Sequence, residues 1–99
     1  MPVIEIDASK IFDWESFHDV FSEALGFPAY YGRNRDAWID CVDSLERADG
    51  AVLTLLIAQC RAFRDRCPEQ YAALVECSAF VNWRRARAGE PAVVALAFA

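Results

Sequence analysis

Ala51-Val52-Leu53-Thr54-Leu55-Leu56-Ile57 is a near-continuous apolar run that begins directly after Gly50. A strand with one wet face would alternate between apolar and polar residues. This run does not, so it reads as a strand buried on both faces, as in a parallel sheet. Parallel strands cannot be joined by tight hairpins and need crossover connections, usually helical, so the partner strands must lie well away in the chain. Two candidates do. Val3-Ile4-Glu5-Ile6-Asp7 alternates and is β-branched, and Ala92-Val93-Val94-Ala95-Leu96-Ala97-Phe98 is a second apolar run.

The intervening segments carry helical signals. Asp13 is placed to cap a helix whose apolar residues Trp14, Phe17, Phe21, Ala24 and Leu25 recur at helical spacing. Gly26 suits the left-handed position that ends it, and Pro28 bars continuation. Asn34 caps a second helix, with Asp36 favourably placed in its first turn. After the central run, Cys60, Phe63 and Cys67 mark a third helix up to Pro68, which can open a fourth at its first position. Tyr71, Leu74, Val75, Ser78 and Val81 mark one side of that longer helix, and Arg84, Arg85 and Arg87 fall in its last turns before Gly89 and Pro91. The order strand–helix–helix–strand–helix–helix–strand predicts an α/β fold: a small three-stranded parallel sheet packed with about four helices. The 99 residues form one expected domain, 1–99.

Fifteen acids against ten bases give a net charge of −5. That balance argues against nucleic-acid binding, which needs cations to displace counterions, and against docking on an anionic membrane. The charge is also uneven, with a net of −7 over Met1–Asp49 and +2 over Gly50–Ala99. A basic partner is the natural complement of such an acidic half. No apolar run approaches a membrane span, and the start lacks the basic head and apolar core of a signal peptide, so a cytoplasmic protein is expected. Cys41, Cys60, Cys67 and Cys77 show no paired metal spacing and read as reduced, buried thiols. No metal or cofactor is implied.

On a helical wheel with Trp38 at zero, Val42, Leu45 and Cys41 fall at about 40°, 340° and 300°, forming one apolar stripe. Asp36, Asp40 and Asp43 fall at about 160°, 200° and 140°, so three carboxylates are expected in a row facing solvent. Ile39, at about 100°, borders that row and is expected to be partly exposed. Two adjacent tyrosines, Tyr30 and Tyr31, precede the helix, and tyrosine is enriched at the energetic centres of interfaces. Because neighbouring residues rarely share an environment, Tyr30 is assigned to the surface and Tyr31 to the core. Trp14, Trp38 and Trp83 read as structural. Catalytic signals are weak. His18 is the only histidine, and its candidate nucleophile Cys41 lies on the apolar stripe, where thiols are usually inert.

Pro28-Ala29-Tyr30-Tyr31-Gly32-Arg33-Asn34-Arg35-Asp36-Ala37-Trp38-Ile39-Asp40-Cys41 resembles the signature of the barstar family, small cytosolic inhibitors of barnase-type ribonucleases. The match extends over Phe17 to Asp43, and the order of the remaining elements is similar to the family's three-stranded parallel sheet and packed helices. The resemblance implies an inhibitor that binds one-to-one and plugs the active site of a basic, extracellular-type ribonuclease with its second helix and the loop before it. Asp40 matches the family's principal acid, Asp36 its neighbour one turn earlier, Tyr30 the aromatic that packs on the enzyme's catalytic histidine, and Gly32 and Asn34 residues at the contact edge. Ile39 and Asp43 complete the expected contact set, and the free protein is expected to be a monomer. The chain departs from the family pattern where Ile39 and Leu45 stand in place of aromatics, where Asp43 adds an acid, and where Arg84 aligns with a family acid. Alternatives are an interaction or immunity protein of the same fold with another basic partner, or a small enzyme using His18 and Cys41.

Overall fold

The computed structural model describes residues 3–45, 47 and 50–99. Its elements are β1 (Val3–Asp7), a single 3-10 turn (Ala8–Lys10), α1 (Trp14–Leu25), α2 (Arg35–Asp43), β2 (Leu53–Ala58), α3 (Cys60–Arg66), α4 (Pro68–Arg87) and β3 (Val94–Phe98). The three strands form one all-parallel sheet in the order β1-β2-β3, with Ile6 beside Ile57 and Leu55 beside Leu96. The predicted fold class is the observed one: three parallel strands and four helices, with β2 in the centre.

One expectation about the central run fails. Leu53, Leu55 and Ile57 are buried, but Thr54, Leu56 and Ala58 alternate with them as only half-buried residues. The helices cover one face of the sheet, where Ile6, Leu55, Ile57 and Val94 meet Phe17, Phe21, Leu74 and Val81 in a single core. On the other face Glu5 is exposed and Thr54, Leu56, Ala58, Ala95 and Ala97 are half-buried, so a continuous apolar run here does not mean burial on both sides.

Local chemistry accounts for the joints. Asp13 caps α1 by accepting from the Ser16 amide at 2.8 Å, while the Ser16 hydroxyl oxygen accepts from the Asp13 amide. Gly26 adopts φ +65° after α1, a left-handed conformation that other residues enter at a cost. The 3-10 turn is a joint that the pattern of apolar residues did not signal. Arg66 of α3 secures it, donating to the Ala8 and Ile11 carbonyls, each at 2.9 Å. At the other end Asn82 of α4 pins β3: its Oδ1 accepts from the Val93 amide at 2.9 Å and its amide group donates to the Val94 carbonyl at 2.8 Å.

The buried side of α4 is Gln70, Ala73, Leu74, Cys77, Ser78 and Val81. That differs from the predicted side, because Tyr71 is only half-buried and Val75 is exposed. The core therefore lies on the Ala73 and Cys77 flank, a rotation that small residues such as these do not advertise in a hydrophobic pattern. Among the described residues no helix is long and apolar enough to cross a membrane.

Candidate functional site

Asn34 accepts from the Ala37 amide at 2.8 Å and so caps α2, which gives the helix a fixed start. Trp38 (1% exposed), Val42 and Ile39 (7%) anchor the helix in the core. Trp38 meets Phe21 of α1 edge-on, with ring centroids 5.7 Å apart. Cys41 and Leu45, expected on the buried stripe, are only half-buried. The buried arc thus runs from Trp38 towards Ile39, not towards Cys41. Its physical cause is α4, which packs along that flank of α2.

This corrects two sequence expectations. Ile39 is not partly exposed: it is buried, and its edge lines a groove with Phe80 and Cys77 of α4. Nor is Asp43 presented to solvent in a free row. Its carboxylate accepts from Arg84 at 2.9 Å and from Arg85 at 2.5 Å, and the Asp43 and Arg85 side chains are each 23% exposed. Burial pushes the Asp43 carboxyl up, but the hydrogen bonds from Arg85 and Arg84 outweigh it and leave the group below its usual range. At the opposite end of α2, Arg35 donates to Glu76 of α4 at 3.1 Å. The two clamps join residues 41 positions apart at both ends, so α2 and α4 run side by side in the same direction.

What remains exposed on α2 is narrower than the expected row. Asp36 is exposed and Asp40 has 70% of its side chain in solvent, with the Arg84 guanidinium 3.4 Å away. Beside them stands Tyr30, 87% exposed, which shares a groove with Asp40, Cys41, Ser44 and Leu45.

The preceding loop is built to hold that tyrosine out. Tyr31 points the other way, buried at 8% against Phe27, with ring centroids 4.7 Å apart. Its hydroxyl lies 2.6 Å from His18 Nδ1. Burial raises the Tyr31 pKa, which keeps the phenol protonated, so the hydroxyl donates and the neutral imidazole accepts. Burial and then the Arg33 charge lower the His18 pKa, opposed by Asp19. Arg33 holds the loop to α1 through Asp19 at 2.8 Å and the Glu15 carbonyl at 3.0 Å, and accepts a left-handed backbone at φ +54° to do so. Gly32 lets the loop press on the first turn of α2: a Cβ there would meet the Ala37 Cβ at 3.3 Å.

Tyr30 and Asp40 thus meet at one groove, and Gly32, Asn34 and Asp36 are exposed on the same loop and helix. Ile39 is buried at the edge of the groove that Asp36 lines, and Asp43 is held by Arg84 and Arg85. His18 is engaged by Tyr31, and burial followed by Asp40 raises the Cys41 thiol pKa, which disfavours a thiolate nucleophile. Cys60, Cys67 and Cys77 are buried free thiols, as expected, and Cys41 is half-buried. Among the described residues no cluster of three or more His, Cys, Asp or Glu side chains is gathered in a metal-binding arrangement.

Sequence reasoning missed the contribution of α4. Phe80 and Trp83 are 45% and 52% exposed and pack on each other, with Arg84 and Arg87 alongside. Trp83 is therefore largely a surface residue, contrary to its structural reading. The signal was available: Phe80, Trp83 and Arg87 recur at helical spacing on the side away from Leu74, with Arg84 at the edge of that group.

No curated protein matches the chain. The family model described as "Barstar (barnase inhibitor)" matches residues 1–97 of the 99, and the three-stranded parallel sheet with its four helices is consistent with that family. The chain belongs to the barstar family of ribonuclease inhibitors.

Proposed function

We propose that this protein binds a barnase-type ribonuclease one-to-one and covers its active site with α2 and the Tyr30 loop. The observation that carries this reading is the separation of roles on α2: Asp36 and Asp40 face solvent beside an exposed Tyr30, while Asp43 is held by the protein's own arginines. A ribonuclease active site gathers cations to bind phosphate and to stabilise developing negative charge. Carboxylates fixed on a rigid helix can occupy those phosphate positions without offering a cleavable bond. Rigidity matters here because ordering side chains on binding costs affinity. The Trp38 anchor and the two α2–α4 clamps supply it beforehand.

In this reading Asp40 is the principal acid, Asp36 supports it, Tyr30 packs on the enzyme, and Gly32 and Asn34 shape the contact edge. Ile39 and Asp43 act through the position of α2. The inhibitor works as a cytoplasmic monomer, and its acidic half accelerates encounter with a basic enzyme, an effect that salt weakens. Titration of purified barnase, followed by RNA hydrolysis, tests the reading. Activity should fall linearly to zero at one equivalent, and undiminished hydrolysis at excess inhibitor would refute it.

The α4 arginines favour a second reading, an immunity protein for a different basic partner, because Arg84 brings positive charge to the acidic face. Capture of another basic protein through Asp40, with no effect on barnase, would select it.

A further inference from the structure

Arg84 sits between two acids with different needs. Asp43 is already served by Arg85, which donates to its carboxylate and, at 3.0 Å, to its backbone carbonyl. Asp40 has no comparable requirement, since it is mostly solvated. Yet both terminal nitrogens of Arg84 lie 3.4 Å from one Asp40 oxygen, with the Phe80 ring 6.0 Å below the guanidinium. A cation is therefore parked beside the carboxylate that an incoming cationic group must reach.

We propose that Arg84 is an internal competitor that determines specificity at Asp40, an inference that rests on the reading of α2 as the binding face. A partner that brings only positive charge meets a partly neutralised Asp40 and repulsion from Arg84. A partner whose cationic cleft is flanked by a carboxylate receives the displaced guanidinium and binds without that penalty. Arg84 thus selects for a basic site with an acidic rim. It can be replaced without unfolding the clamp, because Arg85 continues to hold Asp43.

An octa-arginine peptide isolates the effect, since it carries cations and no side-chain acid. Its binding at low salt should tighten about five- to tenfold in Arg84→Gln, the size expected when a competing exposed pair and its like-charge repulsion are removed. The gain should shrink in an Asp40→Asn background, where only the like-charge repulsion is left to remove. Arg87→Gln removes the same charge from the same helix but lies over Trp83 at 5.1 Å, and should give a clearly smaller gain, from long-range repulsion alone. Equal binding by wild type and Arg84→Gln overturns the proposal, as does an equal gain in Arg87→Gln or in the Asp40→Asn background. Barnase, assayed with the same variants, separates the two levels. If it ignores every variant while the peptide series behaves as expected, the ribonuclease reading fails and the role of Arg84 stands.

Discussion

Replacing Asp43 by asparagine should destabilise the fold more than an ordinary surface change, and the reason can be followed atom by atom. Oδ1 faces Arg85 and Oδ2 faces Arg84. Asparagine keeps one of these oxygens and turns the other into an NH2 donor, which then confronts a guanidinium donor. One charge-assisted bond is weakened and the other becomes a clash. Exposed ion pairs contribute about 0.2–1 kcal/mol and breaking fully buried ones costs about 3–5 kcal/mol, so a pair this withdrawn should cost about 2 kcal/mol. For a domain of this size that lowers Tm by about 10 °C at pH 7. The pH dependence follows from the depressed Asp43 pKa. The wild-type advantage is fully present above the ordinary carboxylate value of 3.8 and is lost as pH falls through the lower folded value. Thermal denaturation followed by circular dichroism at descending pH is the assay. A Tm equal to wild type at pH 7, or a deficit that stays constant below pH 3.8, would refute the reasoning.

Three further outcomes are expected. Tyr31→Phe leaves the buried His18 Nδ1 without its donor, which should cost about 1–3 kcal/mol by chemical denaturation while barnase inhibition through Tyr30 persists. His18 should titrate below 6.5 by NMR, easily assigned because it is the only histidine. Since the unfolded chain then protonates first, stability should decline as pH drops below 6.5; a midpoint above that value would contradict the burial argument. Asn34→Ala removes the α2 cap and should lower stability by about 1 kcal/mol, with weaker barnase inhibition. Asn34→Asp should retain both.

The parts of the fold that rest on local signals were legible in the sequence. Asp13, Gly26, Asn34 and Pro68 each mark a helix boundary through chemistry confined to a few residues. The inward Tyr31 and outward Tyr30 follow from the opposite directions in which neighbouring side chains point. What escaped the sequence lies in contacts between distant segments. The position of Ile39 and the neutralisation of Asp43 depend on α4, which packs on α2 from 41 residues away. A helical wheel describes one helix against an undivided core and cannot register a second covered flank. Similarly, Leu56 reads as buried by composition, yet its exposure depends on which face of the sheet the helices choose.

The division of α2 into a binding acid and a structural acid is tested most directly by Kd values for barnase, measured with Asp40→Ala and Asp43→Asn at a temperature where both are folded. Loss of one member of a desolvated charge pair costs about 2–5 kcal/mol, a range that draws in part on the family's own barnase complex. Asp40→Ala should therefore weaken binding by at least about 30-fold. Asp43→Asn should weaken it far less while losing more thermal stability. Equal losses of affinity, or an Asp40→Ala variant that binds as tightly as wild type, would contradict the assignment of the face.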